Sequence, residues 1–78
     1  MRKFELLTDF IQFLESELLL DKGEVQATSQ LRQLRTWSSL NALILISRIN
    51  DETAIVLTAS DLAKCITVAD LHQHLSNQ

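Results

Sequence analysis

Apolar residues recur at intervals of three and four at the start of the chain. Phe4, Leu7, Ile11, Leu14 and Leu18 keep that spacing, and Phe10 widens the stripe. At 100° per residue these positions share one face, which predicts an amphipathic first helix. Glu5, Asp9, Glu15 and Glu17 fall on the remaining, solvent-facing side. Gly23, beside Asp21 and Lys22, reads as the stop signal. Residues 19–38 then lose the period and keep only Val25, Leu31 and Leu34 as apolar anchors. A structureless stretch of that length is uncommon in a compact domain. The anchors are therefore expected to tie it to the core, with a helical turn within residues 29–34.

The period returns near Ser38 or Ser39 and predicts a second helix running to about Asp51. Ala42, Leu45, Ile46 and Ile49 form one stripe; Leu40, Leu43 and Ile44, completed by Ser47, form another on the nearly opposite face. A rival reading pairs the runs ALILI and AIVL as a β-hairpin. No glycine stands between them to supply the positive φ that tight hairpins favour. The serine start and the helical stripe favour the helix, leaving Ile55 and Leu57 as buried loop anchors. Asp61 to Lys64 reads as a short third helix capped by Ser60. Thr67, with Asp70 three residues on, is a variant of the capping box that opens a last helix bearing Val68, Leu71 and Leu75 on one face. The sum is an all-α fold, a small four-helix bundle with a long first connection and a short third helix, forming one domain over residues 1–78.

Composition narrows what such a bundle does. With 78 residues, of which 46% are hydrophobic, the chain is globular but too small for an enclosed catalytic site to be expected. One cysteine excludes an internal disulfide and a cysteine-based zinc site, and suits a reducing, cytoplasmic compartment. A net charge of −3 and a pI near 5.1 speak against a nucleic-acid partner, including a helix-turn-helix reading. The longest apolar run, Leu40 to Ile46, is interrupted by Asn41 and is far shorter than the ~20 residues that span a bilayer. In MRKFELLTDF, Glu5 and Asp9 follow the basic tip, which does not read as a signal peptide. A cytoplasmic monomer without a membrane partner is expected.

Few residues carry chemistry. His72 and His74 are two apart, point to different helix faces and read as exposed residues near a polar terminus. Cys65 reads as a small buried hydrophobe. A single glycine excludes a phosphate-cradling loop. No nucleophile–base–orienter set is visible, so no enzyme activity and no metal site are expected. Arg32 and Arg35 form a small basic patch that reads as ordinary solvated surface. The segment Arg35-Thr36-Trp37-Ser38-Ser39-Leu40 is more informative. A serine at a helix start usually caps it. A phosphate attached there would also sit at the positive end of the helix dipole, beside free N–H groups.

On these residues the chain resembles the acyl carrier proteins, small four-helix modules that carry a 4′-phosphopantetheine arm on a serine. The resemblance covers nearly the whole chain: its length, the long first connection, Trp37-Ser38-Ser39-Leu40 opening the second helix, and Thr67-Val68-Ala69-Asp70-Leu71 opening the last. The family's attachment motif is usually Asp-Ser-Leu. Ser39 matches the modified serine and Leu40 the leucine after it; Ser38 stands where aspartate is usual. The resemblance implies a phosphopantetheinyl transferase as one partner and acyl- or aminoacyl-activating and -transferring enzymes as others.

The second helix departs from fatty-acid carriers in having no acid between Ser39 and Asn50. Its outer stripe, Leu40, Leu43, Ile44 and Ser47 with Arg48, is then either a hydrophobic partner-docking face or a face covered by residues 19–38. Ala42, Leu45, Ile46 and Ile49 would shelter a short chain between helices, Arg35 would contact the arm's phosphate or a partner, and Trp37 would brace the long connection. The reading from a different class is a non-catalytic helical interaction module, for instance a homodimer on the outer stripe, with Ser39 only a cap. Fatty acyl, polyketide, amino acid and D-alanine cargoes all remain open.

Overall fold

The helix α1 spans Leu7–Glu17, and the stripe read from the sequence is what it buries: Phe10 and Leu14 are closed from solvent. The computed structural model describes residues 4–77; the basic tip Arg2 and Lys3 lies outside them. Phe4 precedes the helix and is buried even so. Its ring meets Phe10 edge-on with centroids 5.5 Å apart, and its carbonyl accepts a 2.6 Å hydrogen bond from Nε2 of His72.

The stop of α1 is Leu19, before Gly23 is reached. Leu19 has φ 55, Leu20 N–H donates to the Glu15 carbonyl at 2.8 Å, and Leu19 N–H to that of Ser16 at 3.4 Å. This is the Schellman pattern that closes helix ends, with leucine where glycine is usual. Gly23, at φ 87, serves the turn that follows.

The helix α2 spans Ser39–Thr53, α3 spans Ala59–Lys64 and α4 spans Val68–Ser76. Among the described residues there is no strand beyond one isolated bridge, so the hairpin alternative does not form. In its place α2 continues to Thr53, and Ala54 ends it in the left-handed region at φ 59. Leu57 is buried as expected, Ile55 only half-buried, and the Asn50 side chain accepts Leu57 N–H at 2.8 Å. The cap of α3 is Thr58, two residues earlier than the expected Ser60. Thr58 and Asp61 complete a reciprocal capping box, which satisfies two backbone donors that Ser60 inside the helix does not reach. Thr67 and Asp70 make the same box on α4, as read. Hydrogen bonds from Thr67 and Ile66 N–H hold the Asp70 carboxyl below its usual range.

The long connection is ordered by backbone accounting. A 3₁₀ turn at Leu31–Gln33 lies within the expected segment. Gln30 bridges Thr67, and Leu31 N–H donates to Ile66 carbonyl at 2.9 Å. In return the first two N–H groups of α4, Val68 and Ala69, donate to the carbonyls of Ser29 and Ala27. The helix start that would otherwise hold orphan donors thus holds the connection in place. Val25, Leu31 and Leu34 are all buried beneath it.

One acidic residue contradicts its expected exposure. Glu15 is 6% exposed, and its Oε2 accepts the N–H groups of Gly23 at 2.8 Å and Val25 at 3.1 Å. It lies where α1 faces the returning chain, not solvent. His72 is likewise half-buried, held by Phe4, and His74 is half-buried with Nε2 3.8 Å from Asp61. Phe4 and Phe10 cover His72, and Asp61 of α3 stands beside His74, so neither lies on the open surface expected of it. Cys65 is buried as expected, and burial first, then Asp70 and Asp61, raise its thiol pKa.

Candidate functional site

Two adjacent serines open α2, and the structure gives them different tasks. Ser38 is the cap: it is extended at φ −155, and its hydroxyl accepts Asn41 N–H at 3.0 Å. Aspartate and serine cap about equally well, so serine at this position preserves the cap and removes only a charge. Ser39 is the first helical residue and is exposed. No described residue hydrogen-bonds its hydroxyl. The first N–H groups of an α-helix have no intrahelical acceptor, so those of Ser39 and Leu40 stand beside that hydroxyl at the positive end of the helix.

The approach to Ser39 is fixed from both sides. The Thr36 hydroxyl donates to Leu18 carbonyl at 2.6 Å, anchoring the connection to the end of α1. Asn41 Nδ2 donates to Thr36 carbonyl at 2.7 Å. Asn41 therefore holds Thr36 with its side chain and Ser38 with its backbone. The roles of Thr36 and Asn41 were not read from the sequence; the signal was Asn41 itself, a polar residue interrupting the run from Leu40 to Ile46.

Beside Ser39 lies an open groove of about 590 Å³ between α2, α3 and the end of the connection. That volume is within the range of small-molecule sites. Trp37, Ser38 and Ser39 line it with Ala42, Leu43 and Ile46 of α2, and Ala59, Leu62 and Ala63 of α3. Of the four residues read as a chain pocket, Ala42 and Ile46 line this groove. Leu45 and Ile49 do not: they are closed into the core, because their stripe turns inward beneath the groove floor. Leu43, read as purely outward, contributes to the groove rim. The contribution of α3, small residues at 59 and 63 flanking Leu62, was not read from the sequence.

The outer face of α2 is open. Leu40, Leu43 and Ile44 are 67%, 59% and 46% exposed, and Ser47 and Arg48 are exposed too. The connection 19–38 does not cover this face. Arg48 presents little free charge there, because it pairs with Glu17 at 3.1 Å and Glu52 at 3.2 Å.

The two arginines of the connection separate. Arg35 makes a two-pronged pair with Glu24, both bonds 3.0 Å, which lowers the Glu24 carboxyl pKa. It is not among the residues lining the Ser39 groove. Arg32 is: its Nη1 and Nη2 donate to the carbonyls of Cys65 at 3.2 Å and Ala63 at 3.3 Å. Among the described residues no group of three or more His, Cys, Asp or Glu side chains is placed to hold a metal ion. None of the described helices is long and apolar enough to cross a membrane.

Compared with known families, the chain matches the one described as phosphopantetheine attachment site, over residues 9–75. Comparison with curated proteins gives no match.

Proposed function

The chain belongs to the phosphopantetheine attachment site family, whose domains are the attachment point for covalent 4′-phosphopantetheine, and from that we propose that Ser39 carries the arm and that the protein delivers an acyl or aminoacyl group to partner enzymes of a biosynthetic pathway. The observation that carries the assignment is the division of labour at the start of α2: the Ser38 hydroxyl is committed to Asn41 N–H, while the Ser39 hydroxyl is exposed and unengaged. A phosphodiester on Ser39 fits there sterically and electrostatically, with open N–H groups at the helix start. When bound, the arm's terminal thiol holds the carried group as a thioester.

The chain's own residues position and present. Thr36 and Asn41 fix the backbone around Ser39, and Trp37 with Ala42, Ile46 and Leu62 offers an apolar groove for the arm or a short carried chain. The open face of Leu40, Leu43 and Ile44 with Ser47 and Arg48 docks partners, beginning with the phosphopantetheinyl transferase. Contiguous exposed apolar surface commonly marks such contacts. With Arg48 paired and no acid on the first three turns of α2, the surface suits apolar partner contacts rather than a basic one.

Co-expression with a broad-specificity transferase tests the reading: the intact mass is expected to rise by one phosphopantetheine. A chain left unmodified by several transferases would instead support the interaction module, with a dimer in sedimentation that Leu43→Ala and Ile44→Ala disrupt as its signature. The docking face has its own test. Leu43→Ala with Ile44→Ala is expected to weaken transferase binding by roughly 10- to 100-fold, from the ~1.5–3 kcal/mol a well-buried leucine contributes. Thermal stability should stay near that of the parent, because both side chains are largely exposed. Unchanged affinity for every partner would remove this face from the docking surface.

A further inference from the structure

Arg32 stands out among the arginines of the described residues. Arg35 is paired with Glu24, and Arg48 with Glu17 and Glu52. Arg32 has only two carbonyl acceptors, Cys65 and Ala63, and no described carboxylate beside it. A guanidinium carries five N–H donors in a planar fork and a charge that is never lost. Two carbonyls at the end of α3, of Ala63 in its last turn and of Cys65 at its cap, aim that fork, and leave donors and a whole positive charge at the groove that also holds Ser39. The rest of the lining is apolar apart from the two serines, so the groove has one charged group and it is positive.

We infer that Arg32 is an anion-holding residue of this groove, and that the anion is the phosphodiester joining the arm to Ser39. The inference rests on the assignment of the arm to Ser39. Arginine with a phosphate oxygen makes a short, charge-assisted hydrogen bond, about twice as strong as a neutral one. Arg32 is thereby a positioning residue: it lays the first atoms of the arm towards the groove, where Trp37 and Leu62 meet the rest. It takes the place that the sequence suggested for Arg35.

The experiment uses the full chain in its arm-bearing form, with intact mass recorded first and the phosphodiester followed by phosphorus-31 NMR. The reference is the same protein unfolded in urea. The folded parent is expected to show a resonance displaced from that reference, and the displacement to shrink as sodium chloride is raised, since the contact is solvent-accessible and screened. Arg32→Gln is expected to move the resonance most of the way to the unfolded position and to weaken the salt dependence, leaving the smaller part that the start of α2 contributes. Arg32→Lys should keep part of both, and Arg35→Gln all of both. A loss of displacement in Arg32→Gln and Arg32→Lys alike would mean that only the bonds to α3 mattered, and would overturn the inference. So would an unchanged resonance in Arg32→Gln, or one that moves only when a carboxylate-bearing cargo is loaded. A chain that gains no mass in any variant would instead overturn the Ser39 assignment.

Discussion

Ser39→Ala is expected to abolish modification completely, with no mass gain under conditions where the parent is fully converted. Only Ser39 offers an exposed, unengaged oxygen at the start of α2, and alanine supplies none. Since Ser39 is exposed, no described residue hydrogen-bonds its side chain and alanine is the better helix former, the variant should remain folded and as stable as the parent within about 0.5 kcal/mol. Ser38→Ala is expected to behave in the opposite way. It removes the cap that accepts Asn41 N–H, which costs about 1 kcal/mol. It leaves the Ser39 oxygen in place, so modification proceeds, slowed only as far as the helix start frays. The pair separates chemistry from capping. If Ser38→Ala lost the mass gain and Ser39→Ala kept it, the attachment site would be Ser38 and the helix would begin differently from what Asn41 dictates. Intact mass together with urea unfolding reads both effects on the same samples.

Local pattern was enough at the start of α4 and on the outer face of α2, but not at α3, where Thr58 and Asp61 form the same kind of box in place of the expected cap Ser60. Thr67 and Asp70 announce the start of α4 because a capping box involves residues three apart, and the outer stripe of α2 is exposed because helical period alone separates it from Leu45 and Ile49. Roles that depend on what the chain meets on its return were not legible. Leu45 and Ile49 share a face with Ala42 and Ile46, but only the position of α3 decides that the groove floor lies between them. Arg32 and Arg35 are indistinguishable in composition; the partners, carbonyls at the end of α3 for Arg32 and Glu24 for Arg35, come from distant parts of the chain. The end of α1 misled for a different reason. Glycine is the usual residue at the left-handed position that closes a helix, and here leucine occupies it at φ 55, so the glycine at 23 pointed four residues too far.

Glu15 concentrates that blindness in one side chain, and its removal is expected to be the most damaging single change to the fold outside the apolar core. Glu15→Ala withdraws the acceptor of two N–H groups at once. Gly23 N–H is partly buried, but Val25 N–H is buried, and alanine leaves it without a described partner. A buried donor left unpaired costs about 1–3 kcal/mol, and the lost bonds are of the stronger sort made to a carboxyl group. The total loss is expected to be about 2–4 kcal/mol. For a domain of this length, total stability on the usual per-residue scale is about 4–12 kcal/mol, so the variant should unfold at a much lower urea concentration. Glu15→Gln is the discriminating partner. Its amide oxygen occupies the same place and can accept both N–H groups, so it should lose only about 1 kcal/mol. Equal losses in the two variants would show that packing, and not the acceptor, is what Glu15 supplies. The consequence reaches the site through the chain. Val25 is a buried anchor of the connection that ends in Thr36, Trp37 and Ser38, so freeing it loosens the segment whose far end sets the geometry of Ser39. Modification of Glu15→Ala by a transferase is therefore expected to slow in proportion to its unfolded fraction, and to recover when the protein is assayed well below its unfolding midpoint.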